Sequence, residues 1–226
     1  MSSISAKDNI KRFDAAKKRK SNWRSYLKIA YRYFSPQRET FDTQTEGTNK
    51  HNEIFDSTGE RALNRFASRI QAALIPPWRR WSKLTAGNAV PEDQQDNVNE
   101  KLEKASDILF KHFNHSALAT AVNEAIIDMG ISTGALIFQE GDGINEPIFD
   151  IQSVPTSELV LEEGPKGTIE TVWREHEVVA RNIERRWPDA VIEAELAEII
   201  KSNPDKKLML VEGTIYNDET KKYDYN

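Results

Sequence analysis

Between residues 4 and 34 the apolar positions Ile10, Phe13, Trp23, Leu27, Ala30, Tyr31 and Phe34 recur mostly at steps of three and four, the spacing of one helical face. A helix of that length would run to roughly 45 Å at 1.5 Å per residue, more than a small domain can cover, so part of it is expected to lie on a neighbouring surface. Ser35 and Pro36 end it, because the residue before a proline is pushed out of the helical region. The next stretch, QRETFDTQTEGTNKHN, has no apolar period and reads as an exposed loop. Helical spacing returns in IFDSTGERALNRFASRIQAALIPPWRRW, where Phe55, Ala62, Phe66, Ile70 and Ala73 mark one face, Asp56, Ser57 and Thr58 offer N-caps, and Pro76 and Pro77 impose a stop. Pro91 with Glu92 and Asp93 predicts a third helix, carried by Val98, Leu102, Ala105, Leu109 and Phe113 to about His112. A fourth has Leu118, Val122, Ala125, Ile126 and Met129 on one side, with Gly130 expected just past its end in the left-handed conformation.

After Gly134 the character changes to short β-prone runs. ALIFQ, PIFDIQSV, ELVLEE and TIETVWREH are separated by GDG, Pro-Thr-Ser and GPKG, which read as hairpin-type turns and predict one antiparallel sheet of about four strands. Residues 177–187 are expected to revert to helix, with Val179, Ile183 and Trp187 on one side, and Pro188 resets the chain into another amphipathic run ending near Asn203. KLMLVEGTIYN and YDYN read as strands, the second with nothing after it to complete it. The fold class is therefore α+β: several amphipathic helices packed with a small, mainly antiparallel sheet, behind a long N-terminal helix. Three regions follow: a basic helix over 1–38, a helical region over 39–133 and a mixed strand and helix region over 134–226 that reads as truncated, with 39–226 expected to form one domain.

A chain of 226 residues, 38% hydrophobic and 9% aromatic, has enough apolar material for a core. The absence of cysteine excludes disulfides, thiolate nucleophiles and Cys-based zinc sites, and fits an intracellular site of synthesis. MSSISAKDNI carries no apolar signal-peptide core, and no run approaches the ~18 apolar residues of a membrane span, so neither secretion nor a membrane partner is expected. The net charge of −5 is unevenly spread. Residues 1–38 hold eleven Lys and Arg against Asp8 and Asp14, a net of +9, which leaves 20 basic and 34 acidic residues, a net of −14, for the remainder.

Candidate chemistry is sparse. Neither phosphate-cradling glycine motif occurs, and GDG at 141–143 between β-prone runs is a favourable turn. His112 and His115, with Glu103 and Asp107 upstream, lack a third ligand and the spacing of a zinc helix. No G-x-S-x-G elbow marks a serine nucleophile, and Glu193, Glu195 and Glu198 alternate with Ala and Leu as a solvated helical face would. No catalytic residue, cofactor or metal is assigned.

The basic residues carry more. Lys17, Lys18, Arg19 and Lys20, beside Lys11, Arg12, Arg24 and Lys28, put positive potential on several sides of the first helix; contact with nucleic acid or an acidic partner stands beside a merely solvated surface. Arg61, Arg65 and Arg69 recur every fourth residue and form one ridge, suited first to ion pairs between helices or subunits and second to phosphate. Trp78, Arg79, Arg80 and Trp81 follow the prolines as a knot of interface or core anchors.

In order and spacing, IFDSTGERALNRFASRIQAALIPPWRRWSKL, AVNEAIIDMGISTGALIF and TVWREHEVVARNIERRWPD resemble the N-terminal half of the podovirus-type phage portal proteins, the head-to-tail connectors. The resemblance spans most of residues 25–215. It implies a structural, non-enzymatic protein whose N-terminal half builds a wing region. Such a protein assembles as a dodecameric ring at one capsid vertex of the virion, after residence in the host cytoplasm. It passes double-stranded DNA during packaging and ejection, and docks major capsid protein, scaffold, terminase and tail adaptor. The family's channel-lining stem, clip and crown follow the wing and are absent here, so the sequence reads as a fragment or as one part of a split product. The rival readings are a free-standing nucleic-acid-binding module using the basic helix, and a metal-dependent hydrolase using the acidic helix.

Overall fold

The structure, a computed structural model, describes residues 6–42, 50, 54–141, 143, 147–188, 190–217 and 220–225. Its elements, in chain order, are α1 (Ala6–Phe34), α2 (Thr58–Leu74), α3 (Glu92–His115), α4 (Leu118–Ile131), β1 (Ala135–Glu140), β2 (Phe149–Val154), β3 (Leu159–Glu163), β4 (Ile169–Val179), α5 (Ile183–Arg186), α6 (Ala194–Ser202), β5 (Lys207–Asn217) and β6 (Lys222–Tyr225). Short 3-10 turns cover Pro36–Arg38 and Ala180–Asn182. The class is α+β with a long N-terminal helix, as the hydrophobic pattern predicts. The chain divides into two compact units, Met1–Trp23 with Glu158–Asn226, and Arg24–Ser157, so that α1 contributes residues to both.

The first unit holds a four-stranded antiparallel sheet in the order β3-β4-β5-β6. The GPKG segment closes the β3–β4 hairpin as expected: Gly164 N donates to Thr168 O at 2.8 Å, and Gly167 takes φ +71°, a conformation that costs glycine nothing. Phe13 and Ala16 of α1 are buried with Val160, Trp173 and Ile215, and the Phe13 and Trp173 rings meet edge to face with centroids 6.0 Å apart. Trp173 lies directly across the β4–β5 ladder from Gly213, where any Cβ would come within 2.5 Å of its ring. β4 also corrects the helix expected over 177–187. The strand continues to Val179, paired through Val179 with Lys207, and only Ile183–Arg186 is α-helical. The buried side switches along it, from Thr171 and Trp173 to His176 and Val178, so no single period runs through the segment.

The second unit packs α2, α3 and α4 with a separate two-stranded antiparallel sheet, β1-β2. The expected single sheet is thus two, and the Pro-Thr-Ser segment is no hairpin, since β2 and β3 do not pair. On α2 the buried residues are Leu63 and Ala67; Ala67 packs with Val122 and Ile126 of α4, and Ile70 is partly buried against the same cluster. The expected face is rotated: Phe66 is partly exposed, and Phe55, before the helix, is 97% exposed. Gly130 is inside α4 rather than past its end, and helical in conformation. Its missing Cβ makes room for α2, since a methyl there would lie 2.5 Å from Leu63 Cδ1 and 3.2 Å from the Phe66 ring. The stretch after Pro36 is also not a plain exposed loop. Glu39 and Phe41 are buried, and Phe41 packs on Tyr31 at 5.7 Å, while residues 43–49 and 51–52 of that prediction lie outside the described residues.

Candidate functional site

The basic segment of α1 is partly committed within its own unit. Arg12 Nη2 donates to Glu162 Oε2 at 3.0 Å and to Thr171 Oγ1 at 3.3 Å, Lys17 Nζ meets Glu175 Oε1 at 2.5 Å, and Lys20 Nζ donates to the Leu159 carbonyl at 2.6 Å. These long side chains lay their stems on the sheet and tie the helix to β3 and β4. Lys18 and Arg19 are exposed and make no side-chain hydrogen bond or ion pair among the described residues. The four-residue basic run therefore splits into two sealing residues and two outward ones.

The ridge on α2 is wholly outward. Arg61, Arg65 and Arg69 are exposed on the side of the helix opposite the buried Leu63 and Ala67, and none has a side-chain hydrogen bond or ion pair among the described residues. Pro76 and Pro77 stop the helix as expected, with Ile75 as C-cap. The Trp/Arg knot that follows is divided in role. Trp81 stacks on Phe113, with centroids 6.1 Å apart and planes 10° off parallel, and meets Phe110 edge to face at 5.3 Å. Arg80 reaches Asp107 at 2.5 Å and Glu103 at 3.3 Å, and Lys83 approaches Glu103 at 3.4 Å. The Arg80 hydrogen bond and the Lys83 charge hold the Glu103 carboxyl below its usual range. Trp78, by contrast, is 72% exposed, and Arg79 lines a recess of about 200 Å³ with Ile75, Pro77, Trp81, Phe110 and Leu118. Trp81 and Arg80 hold the knot together, while Trp78 and Arg79 are turned to its surface.

The most concentrated polar cluster escaped sequence reasoning. Asp128, on α4, is fully buried and gripped by Arg38, whose Nε donates to Oδ1 at 2.9 Å and whose Nη2 binds Oδ2. Arg38 also donates to Glu124 Oε2 at 2.8 Å and Ser153 Oγ at 2.9 Å. The Tyr31 hydroxyl donates to Asp128 Oδ1 at 3.0 Å and lies 2.6 Å from Thr156 Oγ1, which bonds the Thr133 carbonyl. Burial pushes the Tyr31 pKa far above the ordinary range. Burial works against the Arg38 charge, but Asp128 outweighs it and raises the Arg38 pKa. Every member is saturated by another, so the cluster is a fastening of α1, α4 and β2 rather than a reactive centre. The legible hint was the i, i+4 spacing of Glu124 and Asp128 on a mostly apolar helix.

A second buried ionisable group sits in the other unit. His176 Nε2 lies 3.1 Å from Glu212 Oε1, off the line of a hydrogen bond, and Arg186 approaches the same oxygen at 3.5 Å. Burial and the nearby Arg174 lower the His176 pKa against the opposing pull of Glu212 and Glu158. The candidate zinc histidines are apart in role: His112 packs edge-on against Phe149 at 6.2 Å, and His115 Nδ1 bonds the Lys111 carbonyl. Glu193 stands at the N-cap position of α6 without a side-chain capping bond, and Glu195 and Glu198 are exposed on the helix. Among the described residues no three acidic or imidazole groups converge as a metal set, and no helix is long and apolar enough to cross a membrane.

The guanidinium groups of Arg61, Arg65 and Arg69 are thus exposed and without an ion pair among the described residues, and the Trp/Arg knot follows the same helix in the chain. Comparison with known proteins gives the family. The family model described as bacteriophage head to tail connecting protein matches residues 6–226. A probable portal protein of Bordetella phage BPP-1 is 25% identical over 185 residues, which cover 79% of this chain and 32% of that relative. The chain thus spans about a third of the relative's length. With the α+β fold and the match across nearly every described residue, the chain belongs to the bacteriophage head to tail connecting protein family.

Proposed function

We propose that this chain is the wing-forming part of a phage portal subunit, a structural and non-enzymatic component of the virion. Copies assemble into a dodecameric ring at one capsid vertex, through which double-stranded DNA is packaged and ejected. Major capsid protein, scaffold, terminase and tail adaptor dock on the same ring, which forms in the host cytoplasm before joining the capsid. The observation that carries this reading is the family match from residue 6 to 226. The surface chemistry supports it. Lys18, Arg19, Arg61, Arg65, Arg69, Trp78 and Arg79 are exposed side chains suited to partners, whereas the buried Asp128 carboxylate is saturated by Arg38 and Tyr31 within the chain. Ring contacts are heterologous, so each copy must present two different complementary patches.

The test is immunoelectron microscopy of phage particles carrying the protein, with antibody raised against this chain and particles opened enough to admit it. Label confined to a single vertex is expected. Label spread over the whole shell, or found on the tail fibres alone, contradicts the proposal.

A further inference from the structure

The arginine ridge of α2 has a counterpart of opposite sign on α3. Glu92, Asp96 and Glu100 recur at the same four-residue step as Arg61, Arg65 and Arg69, and all six are exposed. A four-residue step rises about 6 Å along a helix, so the two ridges have equal pitch and equal length. The second half of the same acidic flank, Glu103 and Asp107, is already neutralised by Arg80 and Lys83. In the first half the only ion pair among the described residues is Glu100 with Lys104, an i, i+4 contact with both side chains about 70% exposed, which contributes little. No ion pair joins the two ridges within the chain among the described residues. We infer that the Arg61–Arg65–Arg69 ridge docks on the Glu92–Asp96–Glu100 ridge of a second copy of this chain.

Equal pitch is what selects a second copy over a nucleic acid as the occupant. Three arginines in a row would also suit phosphates, but phosphate contact gives no account of a matching row of three exposed carboxylates on α3, of which only Glu100 has an ion pair among the described residues, the weak one with Lys104. An antiparallel crossing, with Arg61 near Glu100 and Arg69 near Glu92, sets the positive N-terminal end of α3 beside the negative C-terminal end of α2. The two ridges differ, so the contact is head to tail and continues from copy to copy. This inference rests on the ring-forming reading and names the surfaces that would join its subunits.

The chain has no cysteine, so single thiols can be placed at will. Arg65→Cys and Asp96→Cys chains, mixed and treated with a short bismaleimide at low salt, should give a mixed cross-linked dimer, with little product from either chain alone. Reversal by Arg61→Glu with Arg69→Glu in the Arg65→Cys chain should lower the yield about tenfold or more, since like charges would then oppose. Glu92→Lys with Glu100→Lys in the Asp96→Cys partner should restore it. Circular dichroism confirms that each variant is folded. If sedimentation shows the copies associating but the mixed product is absent or indifferent to reversal, the ridge pairing is wrong while the ring reading survives. Failure to associate at low salt also overturns it, as does a loss of duplex DNA binding on reversal with cross-linking unchanged. Label away from the capsid vertex would instead remove the portal reading, whatever the ridges do.

Discussion

Arg38 and Asp128, 90 positions apart in sequence, meet through two nitrogens and both carboxylate oxygens, with Nε 2.9 Å from Oδ1. The pair fastens the segment just after α1 to the last turns of α4, and Tyr31 adds a third bond to the same carboxylate. Removing one side of a buried pair leaves the other charge uncompensated, which typically costs 3–5 kcal/mol. Arg38→Met is therefore expected to lower unfolding free energy in urea by about that amount. Arg38→Met with Asp128→Asn should recover part of the loss, because the second change removes the stranded charge. Equal stability of the single and double variants would show that the pair is not what holds these segments.

Tyr31→Phe tests the same cluster more gently. Asp128 Oδ1 keeps its bond from Arg38 and Thr156 keeps its bond to Thr133, so only the shared hydroxyl is lost. A loss of about 1 kcal/mol is expected in the same urea titration.

His176 gives the first unit a pH dependence. Its pKa in the fold lies below the ordinary value of about 6.5, so the unfolded chain takes up the proton first on acidification. The stability it contributes is present above about pH 6.5 and is lost as the pH falls from there toward the folded-state pKa. Thermal melts of the wild-type chain and of His176→Gln should converge or cross between pH 7.5 and 5.5, the wild type falling the more steeply. Parallel curves would contradict the buried neutral imidazole.

Gly134 stands where α4 turns toward β1, and a Cβ there would lie 2.2 Å from the carbonyl oxygen of Ala125. Because the obstacle is backbone, no rotamer change relieves it. Gly134→Ala is expected to destabilise by about 2 kcal/mol or more, within or above the usual range for overpacking. A neutral effect in differential scanning calorimetry would mean that the α4–β1 turn is free to open.

The parts of this fold legible in the sequence are those set by local chemistry. The α4 face of Val122, Ala125 and Ile126, the GPKG hairpin, the proline stop after α2 and the β5 strand all depend on residues a few positions apart. What escaped was decided by contacts across long separations. On α2 the expected face containing Phe66 competes with the one containing Leu63, Ala67 and Ile70, and the close approach of α4 at Gly130 leaves the bulkier Phe66 ring at the edge. Glu39 and Phe41 look like loop residues until the Lys50 ammonium bonds the Glu39 carbonyl and Tyr31 packs on Phe41. The surface ridge was legible as a spacing, since three arginines at four-residue steps need no tertiary knowledge. The division of Lys17 to Lys20 was not, because the acceptors Glu175 and Leu159 lie far along the chain.

The central claim is a closed ring, and electron microscopy of the purified protein tests it most directly. Two-dimensional averages should show rotationally symmetric rings with a central channel, of one size across preparations. Monomers alone, or open and irregular chains at every salt concentration, would contradict it.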